Sequence, residues 1–221
     1  MPGVGDSDVP GVLTPALALS LGVVTVPAAA PSLRMGSFYT NITLRHAAAA
    51  AAADALRALR RQAYIAPPVH GTVVVFDQGT ERQNPEELAR LAGTLSERLG
   101  CAALGVLNHD DDVLRYTLHE PGRALDSYDS APGYFDGSNT PPRGGDAERL
   151  RDAFGHGDRA ALERVLRDTE ALGMAVDRHA ALVELLRLNP AAVGMGYTYL
   201  ERGESPVGVD AGALLHVTPG G

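Results

Sequence analysis

The sequence predicts an α+β fold in which an antiparallel sheet precedes a helical C-terminal segment. Two observations support this prediction. Short alternating or β-branched apolar runs recur up to residue 135, with two helical patterns between them, and mainly helical patterns follow up to residue 189. At 221 residues, the chain is long enough for one domain with a sizeable core.

The first part of the chain differs in composition from the rest. Residues 1–34 are rich in Pro, Gly, Ala and Val and show no clear period. A secretory signal is one interpretation, but Asp6 and Asp8 stand where a positive charge is expected, and prolines interrupt the apolar run. We favour a disordered or mis-assigned extension, with the natural start at Met35.

The remaining chain predicts a single α+β domain over residues 35–207. Its sheet core is expected over 35–135 and its helical portion over 146–189, with a loose tail over 208–221. The first six predicted elements are, in order, a strand over 37–45, a helix over 47–61, strands over 63–66 and 72–76, a helix over 85–99 and a strand over 102–107. This β-α-β-β-α-β order is the ferredoxin-like one, in which two helices cover one face of an antiparallel sheet.

The second of these helices has clear end signals. Asn84 is a good N-cap, Pro85 suits the first helical position, and Glu87 completes a capping box. Leucines recur at helical spacing, and Gly100 is typical of a helix C-terminus.

The later runs extend the sheet and then give way to helices. In chain order we expect strands over 112–118 and 122–127, a long loop over 130–145, helices over 147–154, 159–172 and 175–188, and a short last strand within 194–200. The aromatic pair Tyr134-Phe135 is expected to hold the first half of the loop against the domain.

The composition excludes several classes of function. The formal net charge is -8, the sequence pI is about 5.3, and all 19 basic residues are Arg. Because nucleic-acid binding needs clustered cations, we expect no nucleic-acid partner. The absence of Lys excludes Schiff-base chemistry and a P-loop lysine.

Cysteine usage and hydropathy indicate the compartment. The single Cys, Cys101, excludes an internal disulfide and a cysteine-rich metal site. It stands at the start of an apolar run, so we expect a buried thiol in the reducing cytoplasm. No apolar run has the uninterrupted length of a membrane span, so no membrane partner is expected.

The sharpest candidate site is the acidic run from Asn108 to Asp112. Seven carboxylates and only two Arg lie between residues 108 and 136. Such a concentration of oxygen ligands suits Mg²⁺ or Ca²⁺, and a histidine could add a nitrogen ligand. The candidate ligands are His109, Asp110, Asp111, Asp112, Asp126 and Asp129. The alternative is a solvated turn between two strands, since Asn and Asp tolerate the left-handed region.

Other groups with catalytic potential are weaker candidates. Ser127 and Ser130 lie near His109 and His119 in the sequence, but the Gly-x-Ser-x-Gly motif is absent, so we expect no nucleophile triad. His179 falls on an apolar helix and is expected to be a structural hydrogen-bonding residue. Ser130 and Tyr134 are expected to contact a ligand or partner from the loop.

Several segments together resemble a family of bacterial proteins for which no function is established. The motifs that carry the resemblance are NHDDDVL and SxPGYF, within the segments TNITLR (40–45), VLNHDDDVLRY (106–116), LDSYDSAPGYF (125–135), GGDAERL (144–150) and GYTYLERGE (196–204). The resemblance covers roughly residues 35–207. It implies a start near Met35 and no particular activity.

Two functions remain for this sequence. The first is a non-catalytic domain that binds an unknown protein or small molecule, which the scatter of potentially catalytic groups favours. The second is a metal-dependent hydrolase in which Asp110–Asp112 with Asp126 or Asp129 hold the metal and His109 is a ligand or general base. The two differ in whether tertiary structure gathers these side chains into one cage.

Overall fold

A computed structural model describes residues 36–169 and 172–220. The expectation for residues 1–34 therefore lies outside the described residues. The described residues belong to one compact unit. Its strands are β1 (Tyr39–Arg45), β2 (Ala63–Ile65), β3 (Thr72–Asp77), β4 (Ala103–His109), β5 (Val113–Glu120), β6 (Arg123–Asp129), β7 (Arg143–Gly144) and β8 (Leu215–Val217). Its helices are α1 (Ala49–Ala58), α2 (Pro85–Leu99), α3 (Ala147–Phe154), α4 (Arg159–Arg167), α5 (Ala175–Leu185) and α6 (Tyr197–Glu201).

The structure confirms the α+β class and the β-α-β-β-α-β order of the elements up to β4. Helix α2 has the predicted ends. The Asn84 side chain accepts hydrogen bonds from the amides of Glu86 and Glu87, at 2.9 and 3.2 Å. Gly100 then ends the helix in the left-handed conformation, with φ at 62°, which glycine adopts without strain.

All eight strands of the described residues form one antiparallel sheet in the order β7-β6-β5-β4-β1-β3-β2-β8. Alternate residues of each strand point to opposite faces, so two separate cores form. Ile42 and Val75 pack with α1 and α2 on one face. Tyr39, Val106 and Leu114 pack with α3, α4, α5 and α6 on the other. The described unit is therefore a sheet between two helical layers.

The C-terminal part differs from its predicted elements. The strand predicted within 194–200 is wrong, because this segment forms helix α6. The Glu81 carboxylate accepts hydrogen bonds from the amides of Thr198 (3.4 Å) and Thr40 (3.2 Å), so it holds the start of α6 against β1. Gly196 makes this approach possible, since an added Cβ would lie 2.5 Å from Glu81 Oε1.

Elements beyond the predicted ranges also join the sheet. Residues 208–221, expected as a loose tail, include β8, whose three residues pair with β2. The predicted loop over 130–145 contains β7, which pairs with Tyr128 and Asp129 at the end of β6. The loop therefore returns to the sheet edge and is anchored at both ends.

Helix α4 ends at Arg167, before the predicted limit of residue 172. At this end the buried guanidinium of Arg178 donates to the backbone carbonyls of Val165, Asp168 and Leu172. A cation that binds the free carbonyls of a helix C-terminus stabilises that end. In the part of the chain that the structure describes, no helix is long and apolar enough to cross a membrane.

Candidate functional site

The acidic run forms the tight turn between β4 and β5. The amide of Asp112 donates to the carbonyl of His109 at 3.1 Å. Asp110 and Asp111 between them have φ values of 56° and 57°. A type I′ hairpin turn requires positive φ at both central positions, and Asp is among the residues that accept it. The run therefore has the turn geometry that one of the two sequence interpretations predicted.

The middle of the three aspartates points into the molecule. Asp111 is buried, and its carboxylate accepts hydrogen bonds from the amide of Ser37 (3.0 Å), from the Ser37 hydroxyl and from Asn108 Nδ2 (2.7 Å). Its backbone carbonyl accepts from the amide of Ala175 at 2.6 Å. Asp111 therefore joins the start of β1, the end of β4 and the start of α5.

The other predicted ligands have separate partners. Asp112 is exposed and accepts from the Tyr134 hydroxyl at 3.1 Å, while Asp110 is half-buried. Asp126 accepts from the Tyr116 hydroxyl, and Asp129 forms an ion pair with an arginine of β5, Arg115. Among residues 36–169 and 172–220, no group of three or more His, Cys, Asp or Glu side chains is placed to hold a metal ion.

His179 also stands apart from the acidic turn. It is buried on α5, and its Nδ1 lies 2.8 Å from the hydroxyl of Tyr39, whose ring stacks on it at a centroid distance of 5.7 Å. Burial lowers the pKa of His179 to about 4, and burial raises the pKa of Tyr39. The pair is neutral at physiological pH and joins β1 to α5, which agrees with the structural role predicted for His179.

Four rings gather around the outer side of the same turn. We call Phe38, His109, Tyr134 and Phe135 the aromatic patch. The His109 ring lies at the centre, with centroid distances of 4.9 Å to Phe38, 5.8 Å to Tyr134 and 5.2 Å to Phe135. All three contacts are edge-to-face arrangements, which aromatic pairs favour. The patch joins β1, β4 and the long loop at one end of the sheet.

The aromatic patch is open to solvent. The exposed fractions are 43% for Phe38, 37% for Tyr134 and 67% for Phe135. Six large hydrophobic side chains are exposed in the described residues, and half of them belong to this patch. The guanidinium of Arg115 lies 5.7 Å from the centroid of the Phe135 ring, close enough for a cation–π contact. Phe135 is thereby positioned without being buried.

A polar groove of about 530 Å³ adjoins the patch on the side of α4 and α5. Asp112, Ser130 and Tyr134 line one wall, and Arg167 and Arg178 are among the residues opposite. The Ser130 hydroxyl accepts from the backbone amide of a β5 residue at 2.8 Å, so this wall is fixed to the sheet. The structure thus brings Ser130 and Tyr134, the two predicted loop contacts, together with Asp112.

The charges around the patch are mostly negative. Partial loss of hydration and the Asp112 carboxylate raise the pKa of Tyr134, so its ring carries no charge at neutral pH. Hydrogen bonds from Ser138 hold the pKa of Asp136 below its usual value, so this exposed carboxylate is ionised. Asp136 directly follows Phe135 in the loop.

Sequence reasoning missed the residues that support the site. Glu81 lies beside Phe38 and lines a small cavity of about 200 Å³ with Tyr199 and Arg202. Burial raises the pKa of Glu81, although amides that donate to it act in the opposite direction. Neither Glu81 nor Ser37 belongs to a recognisable motif, because each is placed by contacts with distant parts of the chain.

No family model, curated protein or solved structure matches this chain. The resemblance described from the motifs NHDDDVL and SxPGYF therefore stays a prediction.

Proposed function

We propose that this protein is a non-catalytic binding domain that docks a protein partner on the aromatic patch. One observation carries the proposal: half of the exposed large hydrophobic side chains of the described residues surround one histidine at one end of the sheet. Scattered exposed apolar residues are ordinary, whereas clustered ones mark interaction sites. Aromatic residues are also the side chains that dominate binding energy at protein interfaces.

The rigid setting of the patch supports the same function. His109 and Phe38 stand at the ends of paired strands, and Tyr134 is held by its hydrogen bond to Asp112. A partner would meet rings whose positions are already fixed, so little conformational entropy would be lost on binding. The groove beside Tyr134 offers the hydroxyl and carboxylate groups that an interface rim needs.

The partners of the acidic side chains favour a binding function over a catalytic one. Asp111 is held by three donors inside the molecule, and Asp129 by an arginine. A metal-dependent hydrolase would need these carboxylates to face one ion. Their separate partners support a turn that carries the patch.

We also propose that β1 to β4 with α1 and α2 form a ferredoxin-like unit to which the other strands are added. The element order, the strand order β4-β1-β3-β2 within the sheet and the packing of both helices on one face support this assignment. Sheets of this kind carry many functions, so the fold does not identify the partner.

The proposal can be tested with a random peptide library displayed on phage, selected on the immobilised full chain. We expect enriched peptides whose binding is reduced at least tenfold by Phe135→Ser, a loss equivalent to about 1.4 kcal/mol. The matched control is Val207→Ser, because Val207 is 69% exposed and Phe135 is 67% exposed. Hydrogen exchange should show protection at residues 134 and 135 in the complex.

Two results would contradict the proposal. One is a selection that yields no enriched peptide over the bare support. The other is a set of peptides that bind Phe135→Ser and wild type equally well, since binding would then use another surface.

A further inference from the structure

The border of the aromatic patch has an excess of negative charge. Asp110, Asp112 and Asp136 lie in the turn and loop that carry His109, Tyr134 and Phe135. Beyond these, the charged neighbours are balanced. Arg115 pairs with Asp129, and Arg202 lies with Glu81 beside Phe38. In the adjoining groove Arg167 pairs with Glu163, and the buried charge of Arg178 is matched in number by that of Asp111. Carboxylates therefore outnumber guanidinium groups by three around the patch and its groove. The chain supplies no lysine that could offset them.

We propose that the aromatic patch takes a basic segment of its partner, with Arg or Lys side chains over the Tyr134 and Phe135 rings and against the carboxylates of Asp112 and Asp136. This inference rests on the function proposed above and names the chemistry of the partner. An acidic segment would meet like charges, and an uncharged segment would bury the carboxylates without a counter-charge.

The molecule already contains one example of this recognition. The Arg115 guanidinium sits over the Phe135 ring while it pairs with the carboxylate of Asp129 at 2.9 Å. The same combination is present on the outer side, where the Tyr134 hydroxyl donates to the Asp112 carboxylate and Tyr134 is 37% exposed. A ring and an anion held side by side match a side chain that has an apolar stem and a cationic head.

The inference can be tested with three short fluorescein-labelled peptides that differ only in charge: alternating Leu and Ser with Arg, with Glu, or with Gln. Binding to the full chain is measured by fluorescence anisotropy at about 0.05 M and about 0.5 M salt. We expect the Arg peptide to bind at least tenfold more tightly than the Gln peptide at low salt, and the Glu peptide to bind least. The preference should shrink at high salt, since exposed charges are screened.

The three negative charges at the border of the patch can be removed by substitutions that keep the local hydrogen bonds. In the variant Asp110→Asn with Asp112→Asn and Asp136→Asn, each Asn keeps an oxygen that can accept the hydrogen bonds of Tyr134 and Ser138. Asn also tolerates the positive φ of residue 110. Since one exposed ion pair changes affinity by a factor of about 1.5 to 5, the three substitutions should weaken the Arg peptide on the order of tenfold.

A control variant separates local charge from net charge. Asp54→Asn with Glu97→Gln and Glu184→Gln removes three exposed carboxylates from α1, α2 and α5. The control should keep wild-type affinity for the Arg peptide within about twofold. An equal loss in both triple variants would overturn the inference, because the net charge of the chain would then explain the preference.

The remaining outcomes distinguish the inference from the function on which it rests. If the three peptides bind with equal affinity and Phe135→Ser abolishes the binding of each, the inference of a basic partner segment is overturned. The aromatic patch then remains a docking surface. If Phe135→Ser weakens the binding of none of the peptides, both the inference and the proposed function are overturned. Preference for the Arg peptide, lost in the local triple variant and kept in the control, supports the inference.

Discussion

At one end of the sheet, residues that are adjacent in the sequence differ in exposure: one points into the interior and the next points toward solvent. Tyr39, Asn108 and Asp111 form an inner set, in which every side chain is buried. Next to them in the sequence, Phe38, His109 and Asp112 reach solvent. Together with Tyr134 and Phe135, which contact them from the loop, they form an outer set. The alternation follows from strand geometry in β1 and β4 and from the turn between β4 and β5.

The two sets show how one short stretch serves both folding and recognition. In the inner set, polar groups bind one another and the nearby elements: Asp111 binds Asn108, and Tyr39 binds His179. In the outer set, the rings contact each other only at their edges and leave surface for a partner. Substitutions in the inner set should therefore affect stability, and those in the outer set should affect binding.

The largest difference in unfolding free energy is expected between alanine variants of two adjacent aspartates. Asp111→Ala should lower the free energy of unfolding by about 2–4 kcal/mol more than Asp110→Ala, because it removes the carboxylate that accepts from the part-buried Ser37 amide and hydroxyl and from the buried Asn108 amide. The two positions have φ values of 57° and 56°, so the backbone cost of Ala is the same at both. Urea denaturation of both variants measures the difference. Equal losses would show that the buried carboxylate adds nothing to stability.

The second prediction concerns how stability depends on pH through His179, which binds Tyr39 of the inner set. Because burial lowers the pKa of His179 to about 4, the unfolded chain binds this proton below about pH 6.5 while the folded chain does not. This contribution to stability is complete above about pH 6.5 and declines as the pH falls toward 4, by up to about 3 kcal/mol. Urea denaturation at a series of pH values between about 5 and 7 measures the slope.

A variant tests whether His179 causes this slope. His179→Gln should flatten the pH dependence of the unfolding free energy. Burial also lowers the pKa of His119, so part of the slope should remain in this variant. The assignment to His179 would fail if His179→Gln kept the full slope.

A third, smaller difference in unfolding free energy is expected when the hydroxyl groups of two tyrosines are removed. Tyr39→Phe should cost about 1–2 kcal/mol of unfolding free energy, because it removes the buried hydrogen bond to His179. Tyr134→Phe should cost less than about 0.5 kcal/mol, because its hydroxyl binds Asp112 at the surface, where water can replace it. Thermal unfolding of the two variants provides the comparison, and a larger loss for Tyr134→Phe would contradict it.

Much of the fold was predictable because its signals are local. The Asn84 cap, Pro85 and Gly100 defined α2, and a helical pattern over residues 147–154 predicted α3. The turn between β4 and β5 was predicted as one of two alternatives, since three successive Asp residues suit a tight turn. Each signal lies within a few residues of the structure that it specifies.

The division into inner and outer sets was not predictable, because it depends on distant contacts. Nothing in the sequence distinguishes Asp111 from Asp110 and Asp112; the difference arises where Ser37 meets the turn across the pairing of β1 with β4. Helix α6 was predicted as a strand because Tyr and Thr favour strands. The Glu81 carboxylate, far away in the sequence, caps it as a helix.

The last comparison is between the stability and the binding of a single variant in the outer set. Phe135→Ser should change the free energy of unfolding by less than about 1 kcal/mol, because 67% of Phe135 is exposed and only edge contacts and Arg115 hold it. The same substitution is expected to remove peptide binding. Measured on the same protein sample, urea denaturation should therefore show a small change in unfolding free energy, and fluorescence anisotropy should show a large loss of peptide affinity. A loss of stability equal to that of Asp111→Ala would place Phe135 with the inner set and remove the reason for treating the patch as a docking surface.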